Sequence, residues 1–170
     1  PAAEYRAEVI AVDRARQAIT ITPPPEAPDA LVGQTIFIVN GARRLAYEVL
    51  AARPTEAGLE LELAMDARIG TGKVTGAADH QVLTDTPFNL QGFGYYDGAR
   101  LVSADGAAEY RLLEVTSGAR ALIDAAAHPE ASAETLAGQF PEGTWFEVWD
   151  YGVGDQVVWP MSASFTLSGG

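Results

Sequence analysis

Apolar and polar residues alternate with a period of two over most of the chain, the mark of strands with one buried face. Tyr5 to Val12 and Ala18 to Thr22 alternate in this way around Asp13-Arg14-Ala15-Arg16, which reads as a polar hairpin turn. Pro23-Pro24-Pro25 ends the second strand, because proline has no N–H to give to a ladder. Gln34 to Asn40 places Ile36, Ile38 and Asn40 on one face and Phe37 and Val39 on the other, and Asn40-Gly41 is a turn signal. Leu45 to Ala51 and Leu59 to Leu63 form the next pair. In the latter, Leu59, Leu61 and Leu63 face inward while Glu60 and Glu62 face outward.

The pattern weakens from Met65 to Ala78, where Gly70, Gly72 and Gly76 leave one short strand at Lys73 to Thr75. Residues 79–98 read as a long connection carrying Phe88, Phe93, Tyr95 and Tyr96. Arg100 to Ser103, Glu109 to Val115 and Arg120 to Asp124 are further strands, separated by turns at Asp105-Gly106 and Ser117-Gly118. A single helix is predicted at Ala133 to Ala137, with Ser132 as its N-cap. Gly143 to Pro160 holds all three tryptophans and predicts a hairpin around Tyr151-Gly152-Val153-Gly154. Ser162 to Leu167 would be a last strand before a flexible Ser168-Gly169-Gly170 end.

An internal repeat runs through this order. Glu4-Tyr5-Arg6 returns as Glu109-Tyr110-Arg111, Ala15-Arg16 as Ala119-Arg120, Pro25-Glu26 as Pro129-Glu130, and Leu31-Val32-Gly33-Gln34 as Leu136-Ala137-Gly138-Gln139. Each copy then enters a strand, Gln34 to Asn40 in the first and the first tryptophan strand in the second, with Thr35 and Val39 where the second has tryptophan. The expected fold is therefore all-β. It is an antiparallel β-sandwich or two fused small β-barrels, built from a duplicated strand unit with at most one short helix. The expected division is a first unit over 1–78, a connection over 79–98 and a second unit over 99–170, packed as one compact domain.

Composition narrows the functional classes. Of 170 residues, 48% are apolar, enough for a core, and no apolar run approaches the roughly 20 residues of a membrane-spanning helix. The chain starts at Pro1 without a charged-then-apolar leader, as expected of a mature or excised chain. A net charge of −12 disfavours nucleic acid and anionic membrane as partners. After Arg120 there is no lysine or arginine, whereas Asp124, Glu130, Glu134, Glu142, Glu147, Asp150 and Asp155 follow. The absence of cysteine removes disulfides, thiolate metal sites and cysteine nucleophiles.

Chemistry is expected at the tryptophan hairpin. Alternation puts Trp145, Glu147 and Trp149 on one face, about 13 Å from end to end. Pairing Asp150 with Asp155 would set Gln156 beside them, with Phe146, Val148, Val157 and Trp159 as a core patch behind. Indole rings with a carboxylate and an amide between them suit a neutral glycan, and Tyr95, Tyr96 and Tyr151 would extend the surface. The competing reading buries that face under the aromatic connection. Asp150 and Asp155 with the loop carbonyls are a candidate Ca²⁺ site, although aspartates at such positions more often cap the turn. His80 and His128 lie 48 positions apart without a metal-ligand spacing and are expected to be surface residues. There is no Gly-x-Ser-x-Gly elbow, no phosphate loop and no carboxylate pair singled out by spacing.

Leu-x-Gly-Gln before a strand, Asn40-Gly41, and Asp150 to Asp155 followed by Pro160 resemble the β-rich C-terminal regions of secreted bacterial polysaccharide-active proteins, of the heparinase II/III-like lyase type. Such lyases keep their catalytic residues largely in an α-toroid and its facing sheet. The resemblance therefore implies an accessory module, extracellular or at the cell surface, and not an active site. The expected function is a non-catalytic β module with carbohydrate binding as its activity. The first alternative is a structural or assembly module packing against another domain or subunit. The second is a glycan hydrolase or lyase with unrecognised acids.

Overall fold

The structure is a computed structural model and describes residues 4–41, 43–85, 96–116 and 120–160. Among them the strands are β1 (Glu4–Asp13), β2 (Ala18–Thr22), β3 (Thr35–Asn40), β4 (Arg43–Pro54), β5 (Leu59–Leu63), β6 (Arg68–Ala78), β7 (Gln81–Thr84), β8 (Arg100–Val102), β9 (Glu109–Thr116), β10 (Arg120–Ile123), β11 (Trp145–Trp149) and β12 (Gln156–Pro160). A 3-10 turn covers Pro28–Leu31, and α1 covers Ala133–Gln139. The all-β expectation holds. Of the two architectures left open, the barrel is the one found: six strands close in the order β1-β12-β3-β4-β5-β2, and six more in the order β10-β7-β6-β11-β8-β9.

The period-two pattern explains both cores. In the first barrel Ala7, Val9, Ile19, Ile21, Ile36, Ile38, Val49, Leu59, Leu61, Leu63 and Val157 are all buried. In the second, Val74, Val82, Leu101, Tyr110, Leu112, Ala121, Ile123, Phe146 and Val148 fill the interior, joined by Leu136 and Phe140 from α1 and its end. Ser132 caps α1 as expected, its hydroxyl accepting the Thr135 N–H at 3.2 Å.

The predicted tryptophan hairpin does not form. β11 pairs with β6 and β8 in the second barrel, and β12 pairs with β1 and β3 in the first. The expected core patch is accordingly divided, with Phe146 and Val148 in one barrel and Val157 and Trp159 in the other. The domain boundaries change for the same reason. One compact unit holds β1–β5 and β12, apart from the Arg43 end of β4, and the other holds β6–β11 with α1, the breaks falling after Asp66 and after Tyr151. The presumed connection contributes β7, and the glycine-rich stretch is the 11-residue strand β6. Gly72 has a packing reason: a Cβ there would lie 2.3 Å from Cζ of Phe146. The expected last strand, Tyr95, Phe88, Phe93 and the Ser117-Gly118 turn lie outside the described residues.

The two barrels share a strand register. Matching β1, β2, β3, β4, β5 and β12 with β9, β10, β11, β6, β7 and β8 reproduces the cyclic order. Val157 sits between Ala7 and Ile38 as Leu101 sits between Tyr110 and Val148. β4 bulges between Val49 and Ala51, and β6 between Val74 and Gly76. Gly33 donates to Val49 O and Gly143 to Val74 O, each at 2.8 Å. Both glycines have left-handed φ, 81° and 88°. The letter-for-letter matches in the sequence are not the equivalent positions, however. The place of Tyr110 in its barrel is held by Ala7 and not Tyr5, and the place of Gly33 is held by Gly143 and not Gly138.

Candidate functional site

The expected aromatic platform is dispersed by the barrel register. Trp145 is 52% exposed at the start of β11. Glu147, two residues on, is held by Arg68 at 2.9 Å across β6. Trp149 does lie on the same outward side as Trp145, but there the surface is covered: Arg100 and Val102 of β8, Trp149 and Tyr151 are all buried. The Trp149 and Tyr151 rings are 6.4 Å apart at 59°. Tyr96 belongs to the second-barrel core, and Gln156 is exposed on the first barrel. Of the proposed ligand residues that are described, Trp145 and Glu147 alone remain neighbours on an open face.

The two aspartates are committed to protein donors. Arg43 holds Asp150 through its carboxylate at 2.7 Å and its carbonyl at 2.9 Å, with both side chains largely buried. Asp155 accepts from the Asn40 amide and, at 2.9 Å, from the Gly152 N–H. The second of these is the turn cap that competed with Ca²⁺ in the sequence reading. Among the described residues no group of three or more His, Cys, Asp or Glu could hold a metal.

The histidines, expected at the surface, are half-buried neighbours in the second barrel. His80 Nε2 is 3.2 Å from the His128 carbonyl. His128 Nε2 accepts the Arg111 N–H at 2.9 Å, so its proton sits on Nδ1, 3.4 Å from Glu130. Arg111 in turn bridges Asp124 at 2.8 Å and Asp97 at 3.1 Å. Beside them burial raises the Tyr110 hydroxyl above its ordinary value, partly offset by its hydrogen bond to Gln139. This constellation fastens the turn after β10 to β9.

A surface depression of about 570 Å³ lies at the β6 bulge, lined by Lys73, Val74, Thr75, Asp85, Glu142 and Gly143. Lys73 is directly opposite Trp145 in the β11–β6 ladder, which puts both side chains on one face. The turn that presents Glu142 is fixed by Thr144, whose hydroxyl donates to Pro141 O at 2.6 Å. Sequence reasoning missed Lys73, Thr75, Asp85 and Glu142. They come from three separate segments, and the strand register alone unites them. Comparisons of the chain with family models, with curated proteins and with solved structures find no match.

Proposed function

We propose that the chain is a non-catalytic structural module that packs against another domain or subunit of a larger secreted or cell-surface bacterial protein. The observation that carries this reading is an exposed apolar group on the first barrel: Val32 at 43%, Leu50 at 50% and Met65 at 63%. Backbone bonds from Gly33 to Val49 and from Ala64 to Glu48 bring their three segments together at the β4 bulge. Exposed apolar side chains drawn from neighbouring segments favour protein association. The burial of Trp149 and Tyr151 favours the same reading, since it removes them from ligand binding. The equal registers of the barrels support a duplicated strand unit as the origin of both. The resemblance to accessory regions of heparinase II/III-like lyases fits such a role.

Hydrogen exchange on the isolated chain and on the natural polypeptide that carries it tests the proposal. Amides around Val32 and Met65 should be slower in the latter. Leu50→Asp with Met65→Asp should abolish that protection while shifting the stability of the isolated chain by no more than about 0.5 kcal/mol, as for surface changes. Equal exchange in both forms would overturn the reading.

A further inference from the structure

The two barrels carry the same backbone device at one place and clothe it differently. The registers make Lys73, Thr75, Asp85, Glu142 and Trp145 the counterparts of Glu48, Leu50, Ala64, Val32 and Thr35. In the first barrel this spot, with its bulge and left-handed glycine, carries Val32, Leu50 and Ala64 beside Glu48 and Thr35. In the second it is a depression with an ammonium, two carboxylates and a hydroxyl, and an exposed indole beside it. The polar lining is therefore not demanded by the fold, which is built equally well with Val32, Leu50 and Ala64.

We propose that this depression is a binding site for a neutral oligosaccharide. The indole of Trp145 offers a flat apolar face to a sugar ring. Asp85 and Glu142 accept from hydroxyl groups, and Thr75 donates or accepts. The volume of about 570 Å³ lies within the roughly 300–1,000 Å³ of small-molecule sites. Two carboxylates against one ammonium, on a chain of net charge −12, repel a polyanion. The site differs from the expected platform, sharing Trp145 alone with it, and it is independent of the assembly role.

Trp145 is the reporter, because Trp149 and Trp159 are 5% and 9% exposed. Fluorescence of the whole chain is titrated with cellohexaose, xylohexaose, mannohexaose and chitohexaose, with hexagalacturonate as the anionic control. At least one neutral oligomer should give a saturable change at millimolar concentration or below. In calorimetry, Trp145→Ala should abolish its binding, and Asp85→Asn and Glu142→Gln should each weaken it about tenfold, the loss of a charged hydrogen bond. Both acids are exposed, so these variants keep the fold. Thr35→Ala, at the matching place in the first barrel, should change nothing. Absence of binding by every neutral oligomer, binding of hexagalacturonate alone, or binding unaltered by all three variants would overturn the proposal. The Leu50→Asp, Met65→Asp chain should bind sugar normally, so failure of the assembly reading and failure of this one are told apart.

Discussion

Gly72 shows how much one residue can decide in this fold. The Phe146 ring crosses it so closely that a methyl group would meet Cζ at 2.3 Å and Cε2 at 2.8 Å. Phe146 is wholly buried and has no open side to move toward. Gly72→Ala should therefore cost about 1–3 kcal/mol in urea unfolding, as overpacking does, and a loss below about 0.5 kcal/mol would refute the packing account. The glycine was visible in the sequence, but it weakened the strand prediction because its partner ring lies 74 positions away. Trp149 is the opposite case. Its side of the strand follows from alternation, yet alternation holds no information on whether that side is covered. Arg100, buried at 6% and opposite Trp149 on β8, shares that covered side.

At the scale of elements, most strands were legible because each barrel wall has one dry face and one wet face. Leu59–Leu63 is the clearest, buried at each leucine and half-buried at each glutamate. Partners were less legible. Adjacent strands pair often enough to make a hairpin the natural expectation for β11 and β12, but a cyclic order of six strands places β6 and β8 beside β11 instead. The outward face of β5 also carries a testable charge effect. Burial acts to raise the Glu60 carboxyl, but hydrogen bonds and charge from Arg53 and Arg16 outweigh it and hold the group below its ordinary value of 4.5. A lowered folded value stabilises the fold above the ordinary carboxylate range and ceases to do so as pH falls through it. Urea midpoints of the native chain and Glu60→Gln should differ at neutral pH and converge in acid. A gap that stays constant with pH would exclude the ion pairs as its cause.

For the whole molecule, the path of the chain matters more than any single ladder. Five strands of the first barrel are made, the second barrel is completed, and β12 then returns to stand between β1 and β3. Ending the chain at Tyr151 should leave amide protection in β6–β11 intact and remove it from β1–β5, because the closing strand, Val157 and the Trp159 ring stacked 4.3 Å from Tyr5 are lost together. Persistent protection in β1–β5 would show that closure is not required. The same path sets an order of events during synthesis. β6 to β11 are contiguous and can fold as soon as they leave the ribosome. Glu4 must wait for Pro160, its partner in the ladder. Until translation has passed that point, β1 and β3 are open edges, each a template for a stray strand. A chain stalled or released between the two barrels would thus be hazardous to its neighbours, and β12, which follows every other described strand of the two barrels, is what removes the hazard.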